Sequence, residues 1–173
     1  VWDNFGFDPA TGNAMLATAG LAARKYKIDR KEVDELTYYR YKQYFDTKDS
    51  GWFDGILIPL EILNIQGRFL GLIDEDTGVR QLSLSALNAQ RELDTCITPG
   101  TQTHAADGMA TLLVTGKEKA KQLSSRPEID IQFVGKTELR VAPSYMPEAP
   151  ALAVKKLLDR TGLTMDDMAV VKN

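Results

Sequence analysis

Few side chains in this 173-residue chain could do chemistry, and they are scattered. Cys96 is the only thiol and His104 the only imidazole. A cysteine nucleophile needs a neighbouring base or a helix N-terminus to lower its pKa. Cys96 instead opens the apolar, strand-like run Cys96-Ile97-Thr98 and reads as a plain buried cysteine. His104 lies in Thr101-Gln102-Thr103-His104-Ala105-Ala106-Asp107-Gly108. Hydroxyl and amide side chains there could offer donors and acceptors to an amide-bearing ligand. From spacing alone, the same residues better describe a capped turn with a surface histidine. Asp74, Glu75 and Asp76 form an acidic run without the alternating ligands and closing glutamate of a calcium loop, so they read as a solvated hairpin tip. Lys117, Lys119, Lys121 and Arg126 are interspersed with Glu118 and Glu128; that pattern is a solvated helix face, with contact to a ligand phosphate as the alternative. No glycine-rich phosphate cradle and no serine elbow is present.

The elements that would position these residues follow from periodicity. Val1 to Gly12 reads as a loop with aromatic anchors Trp2, Phe5 and Phe7. Met15, Leu16, Ala19, Ala22, Ala23 and Tyr26 give one face of a helix over 13–26, whose small residues imply close packing. Asp29 caps the next helix, with Glu32 placed for a capping box and Val33, Leu36, Tyr39 and Tyr44 near one face. That helix ends in the polar cluster 46–51. The β-branched run 56–65 contains Pro59, which suits an edge strand. Segments 68–73 and 79–82 flank Asp74–Gly78 as a hairpin. A short helix spans 82–93. Then come strands over 108–114, 129–141 (with Gly135 as a bulge) and 168–171, and helices over 117–123 and 147–160, the second closed by Gly162. Thr164 and Asp167 offer a further cap. This alternation predicts an α/β layered core preceded by a less regular excursion.

Composition narrows the classes. Twenty-one basic and 24 acidic residues give a net charge of −3, which supplies no field for nucleic acid or an anionic membrane. A hydrophobic share of 43% with 26% charged residues fits a folded globular protein. No apolar run approaches the roughly 20 residues that span a bilayer. One histidine and one cysteine leave no metal cluster or disulfide framework, and a reducing, cytoplasmic location fits. The opening at Val1 and the apolar run before Asn173 suggest an internal piece of a longer protein.

Five blocks, in order, resemble the thiolase family. Ile97-Thr98-Pro99-Gly100-Thr101-Gln102-Thr103-His104-Ala105-Ala106-Asp107-Gly108-Met109-Ala110-Thr111-Leu112-Leu113 resembles the signature T-A-G-N-x-S-G-x-N-D-G-A-A-A-L-L. Glu118-Lys119-Ala120 is similar to the family's E-K-A helix, and Met146 to Leu158 to its M-G-x-G-P-x-x-A-x-x-K-x-L helix. Gly162 to Met168 resembles G-L-T-x-x-D-[LIM], and Met15 to Asp34 resembles M-x-x-T-A-E-x-x-A-x-x-Y-x-I-x-R-E-x-x-D.

The resemblance implies an acetyl-CoA C-acyltransferase-like protein of a divergent branch, near the sterol-carrier type. Its fold would be part of the layered αβαβα thiolase architecture, with mixed sheets and helices, plus part of an α+β loop domain. Residues 1–96 would be the latter part of the loop domain that covers coenzyme A, 97–125 the end of the N-terminal half, and 126–173 the start of the C-terminal half. The full-length protein would make or cleave 3-ketoacyl-CoA by thioester Claisen chemistry. This chain, inactive alone, would contribute binding and no catalytic residue, because Cys96 does not align with the nucleophile. Thr103 falls at the family serine that bonds the pantetheine amide, with Gln102, Pro99 and His104 on the same loop. Met15 and Met146 fall beside the acyl pocket. Coenzyme A, as substrate thioester, would be the only cofactor, without a metal. Partners would be acyl-CoA and further copies in a homodimer or homotetramer, or a hetero-complex, with the 108–114 strand near a subunit interface. There are departures: His104 replaces a glycine, Ala14 a histidine and Gly20 a glutamate. The alternatives are a catalytically silent thiolase-like scaffold subunit and an unrelated α/β ligand-binding domain.

Overall fold

The structure is a computed structural model that describes residues 2–104, 106 and 108–172, excluding the side chains of Trp2 and Asn4. It divides into two compact units, residues 1–105 with 143–145, and residues 106–142 with 146–173.

In the first unit, α1 (Trp2–Gly6) is a single helical turn where the sequence predicts a loop. Asp3 sits in its first turn, where a carboxylate favours the helix N-terminus. The expected anchors Phe5 and Phe7 are exposed, and the Trp2 side chain lies outside the described residues. α2 (Met15–Tyr26) buries Thr18, Gly20, Ala22 and Ala23, so the small residues do bring it close to its neighbours. The ends of its expected face, Met15 and Tyr26, remain exposed. Lys27 closes it in the left-handed region at φ +51°, its amide donating to the Ala23 and Arg24 carbonyls.

α3 (Arg30–Asp49) starts where expected, with Asp29 accepting from the Lys31 amide. Its packed face is the expected one only in part: Val33 and Tyr44 are half-buried but Leu36 and Tyr39 are exposed, whereas Asp34 is buried and Arg30, Thr37 and Tyr41 are half-buried. The seam that α3 presents to α4 (Leu84–Asn88) therefore includes polar side chains, which apolar periodicity does not register.

The hairpin also shifts. β1 (Leu60–Leu63) pairs antiparallel with β2 (Phe69–Ile73), Leu60 facing Ile73 and Leu63 facing Phe69. The expected pairing of 68–73 with 79–82 does not form. The deciding turn is 64–68: Asn64 Oδ1 accepts the amides of Gln66 and Arg68, each at 2.9 Å, and Gly67 takes φ +77°. An Asx-type turn plus a left-handed glycine closes the chain one segment earlier. The expected strand 56–65 is paired only over 60–63, because Ile56 and Leu57 turn back onto the Phe53 carbonyl. α4 is shorter than expected, capped by Ser83 on the Ala86 amide. The chain then makes a tight turn, with Asp94 bridging Ile97 and Cys96 at φ +61°, so Cys96 is a turn residue and not a strand entry.

In the second unit, α5 (Lys117–Leu123) and α6 (Ala149–Thr161) lie where periodicity puts them. A 3₁₀ turn (Met146–Glu148) precedes α6, and Gly162 closes it at φ +70°. Thr164 and Asp167 form a reciprocal capping box. The expected strands 108–114, 129–141 and 168–171 form no ladder among the described residues. A strand exists only through a neighbour's hydrogen bonds, and these segments leave Met109, Leu112, Ile131 and Val170 exposed. Gly135 is correspondingly not a bulge. It faces α6, where an added Cβ would lie 3.3 Å from Leu157 Cδ1. Arg160 reaches the Lys136 carbonyl at 3.0 Å and Lys156 the Glu138 carbonyl at 3.4 Å, tying this extended segment to the helix.

Candidate functional site

The loop that follows the Asp94–Ile97 turn is built from two threonines. The Thr98 amide donates to Thr101 Oγ1 at 2.9 Å, and the Thr101 hydroxyl donates to the Thr98 carbonyl at 3.2 Å. Thr98 is fully buried, so this exchange satisfies groups that water cannot reach. Gly100 is buried between them. Its amide donates to Gln90 Oε1 at 2.6 Å and its carbonyl accepts from the Tyr41 hydroxyl at 3.3 Å. A Cβ there would lie 2.7 Å from Leu87 Cδ2 and 2.8 Å from the Gln90 amide, so any side chain would force Leu87 and Gln90 to shift.

Beneath the loop lies Arg30. Its Nε donates to Asp34 Oδ2 at 2.8 Å, and its Nη2 to the carbonyls of Leu87 at 2.9 Å and Gln90 at 3.3 Å. Asp34, beside it, raises the guanidinium pKa further. One cation thus joins α3 to the end of α4, from which Gln90 holds Gly100.

The predicted residues Pro99, Gln102, Thr103 and His104 share this one loop and are exposed. Gln102 is turned inward by its amide, which donates to the Thr98 carbonyl at 3.2 Å. Among the described residues, Thr103 places its hydroxyl proton on a long 3.4 Å bond to the His104 carbonyl. His104 does not stand alone: its Nε2 lies 3.2 Å from Asp76 Oδ1, and its ring sits against Gly78. The acidic run is exposed, as a solvated segment should be, but it does not cap the expected hairpin: Asp76 meets His104, and neighbouring Glu75 is paired with Lys48. Ala105 and Asp107 of the expected loop lie outside the described residues. Met15 opens α2 in the same unit, half exposed. Met146 belongs to the second unit, at the start of the 3₁₀ turn, and is also half exposed.

Cys96 is buried, its thiol donating to the Ile28 carbonyl at 2.9 Å. Burial pushes its pKa up, which opposes the thiolate a nucleophile needs. The basic run behaves as a solvated face: Lys117 pairs with Asp130 at 2.9 Å and Arg126 with Glu128 at 2.9 Å, all well exposed. A surface cleft of about 390 Å³ lined by Tyr44, Lys48, Phe53, Asp54 and Glu75 contains none of the predicted site residues. Among the described residues no cluster of His, Cys, Asp and Glu could hold a metal ion. No helix there is long and apolar enough to cross a membrane. Sequence reasoning missed Gln90, Tyr41 and Asp76. Only the Thr98–Thr101 spacing, a hydroxyl turn signature, was there to be read.

This loop lies within the stretch that matches a known family. The family described as "Thiolase, N-terminal domain" matches residues 7–118, well over half of the sequence. The chain belongs to the thiolase family. A "Probable acetyl-CoA acyltransferase" of Staphylococcus epidermidis is 29% identical over 160 residues, which cover 90% of this chain and 40% of the relative. "Acetyl-CoA acetyltransferase 2" of Arabidopsis thaliana is 28% identical over 153 residues, covering 86% and 38%. The crystal structure of the Bacillus anthracis acetyl-CoA acetyltransferase superposes with a TM-score of 0.80 at 24% identity, over 94% of this chain and 41% of that one. The fold is thus part of the α/β thiolase fold. The chain spans about 40% of the length of these relatives.

Proposed function

We propose that the protein containing this chain makes or cleaves 3-ketoacyl-CoA by thioester Claisen chemistry, and that the chain contributes the surface meeting coenzyme A. The observation that carries this reading is the loop at 98–104. Its base is fixed by Thr98, Gly100 and Gln90, while the Thr103 hydroxyl stays exposed and weakly engaged. A loop with a fixed base that presents an exposed, weakly engaged hydroxyl is suited to an amide of the pantetheine arm. The names of the relatives, acyl and acetyl transferases of acetyl-CoA, point the same way.

In this reading Thr103 bonds the arm, His104 and Pro99 border it, and Gln102 stiffens the loop from within. Met15 and Met146 supply soft, apolar contact for the acyl group. Residues 1–96 belong to the domain over the cofactor, 97–125 end the N-terminal half and 126–173 begin the C-terminal half. The family match to the N-terminal domain, ending at residue 118, is compatible with an N-terminal half that ends near residue 125. No catalytic residue is assigned in this chain. The buried, high-pKa thiol of Cys96 supports leaving the acyl-transfer step, with its cysteine nucleophile and oxyanion donors, to other parts of the protein.

The test is release of free CoA by the full-length protein from pairs of acyl-CoA substrates. Release, with KM raised by Thr103→Val, supports the reading. The variant should weaken CoA binding by about 1–2 kcal/mol, one hydrogen bond's worth. No release from any pair would remove the enzymatic claim, and unchanged affinity would remove Thr103 from the site.

A further inference from the structure

We propose that Asp76 is a positioning residue that holds His104 in the Nε2–H tautomer, leaving Nδ1 as an acceptor for an amide N–H of the pantetheine arm beside the Thr103 hydroxyl. This rests on the reading that the 99–104 loop meets an acyl-CoA. A carboxylate only accepts hydrogen bonds. Asp76 Oδ1 already accepts the Gly78 amide at 3.0 Å, and His104 Nε2 lies 3.2 Å away, so Nε2 must carry the proton for the contact to be a hydrogen bond. In a neutral imidazole the other nitrogen is then the acceptor.

Gly78 provides the seat, since a Cβ there would overlap the ring at Cγ, Cδ2 and Nε2. The turn around 76–78 thus supplies both the orienting carboxylate and the bare backbone surface against which the ring lies. Stability is not the purpose of the pair. Its side chains are 41% and 47% exposed, and exposed pairs contribute about 0–1 kcal/mol. What the contact does is favour one ring orientation and one tautomer by that same modest margin, at a position directly following Thr103. Two adjacent residues would then offer a hydroxyl and a ring acceptor to the same amide-bearing arm.

The test uses the full-length protein, with CoA and pantetheine as titrants and acyl-CoA for kinetics. Asp76→Ala should raise the CoA Kd and the acyl-CoA KM about fivefold, one modest hydrogen bond's worth, with kcat within about twofold. Asp76→Asn, whose amide oxygen still accepts from Nε2–H, should bind nearly as the parent does. Asp76→Ala combined with His104→Ala should bind no more weakly than His104→Ala alone. In ¹⁵N spectra, the imidazole signal that vanishes in His104→Ala should report protonated Nε2 in the parent and a tautomer mixture in Asp76→Ala. Parent-like binding by Asp76→Ala, or protonation at Nδ1, overturns the proposal. If Thr103→Val weakens pantetheine binding while Asp76→Ala and His104→Ala do not, the inference alone falls. If none of the three affects binding, the loop reading falls with it.

Discussion

The carboxylate of Asp94 occupies the space in which a side chain at position 20 would stand: a Cβ added to Gly20 would overlap the Asp94 carboxyl group. Arg24, one helical turn beyond Gly20, donates to the same carboxylate at 2.8 Å, and the Thr95 amide does so at 2.6 Å. Thiolase resemblance leads one to expect a glutamate at position 20. Here an acidic group reaches that side of α2 from a turn more than seventy residues away, and glycine makes the room.

Gly20→Ala should therefore destabilise the fold despite alanine's helix preference. The propensity gain is about 1 kcal/mol, whereas forcing a methyl into a filled site costs about 1–3 kcal/mol. Asp94 is fixed by two partners and cannot simply swing aside. Adding Asp94→Ala to Gly20→Ala should recover part of the loss. Denaturant midpoints of the two single variants and the double variant measure this coupling, and strict additivity would refute it.

Asp94 also predicts an acid limb. The Thr95 amide, then the Arg24 guanidinium, hold its pKa below the usual carboxylate value. A group with a depressed folded pKa contributes stability above its unfolded pKa of about 3.9 and loses it as pH falls through the folded value. Asp94→Asn should flatten the fall in melting temperature below about pH 4. An unchanged slope would show that other groups set it.

Arg30 holds the first unit's interior together. Its side chain is 20% exposed and that of Asp34 is 2% exposed, and Asp34 Oδ1 is buried without a hydrogen-bond partner among the described residues. Arg30→Ala strands that carboxylate as well as the Leu87 and Gln90 carbonyls. The expected loss is about 3–5 kcal/mol, the usual penalty for an orphaned buried charge. Arg30→Met with Asp34→Leu should cost less than Arg30→Ala alone, as chemical denaturation can determine.

Gly100→Ala should disturb the loop and the fold together. Its methyl would meet Leu87 and the Gln90 amide that bonds the Gly100 N–H. Gln90→Ala removes that acceptor and leaves a buried amide unpaired, at about 1–3 kcal/mol. Both variants should raise hydrogen exchange at residues 98–102. Exchange as slow as in the parent would mean that the loop is held by Thr98 and Thr101 alone.

Helix positions were legible because capping and periodicity act within a few residues. Asp29 on α3, Gly162 on α6 and the Thr164–Asp167 box are local physics, and they stand where their residue types put them. The order of the five motif blocks was likewise a property of the sequence alone, and it sufficed to indicate the family. The hairpin was misplaced because two turn signals competed. The Asn64 side chain and Gly67 closed the nearer one.

Tertiary structure alone decided which groups meet. Gln90 with Gly100, Asp76 with His104 and Asp94 with Gly20 are separated by ten, 28 and 74 positions, and no local preference selects such partners. The same holds for strands: the apolar runs at 108–114 and 129–134 carry β propensity, yet a ladder requires a neighbour's hydrogen bonds, and propensity cannot supply one.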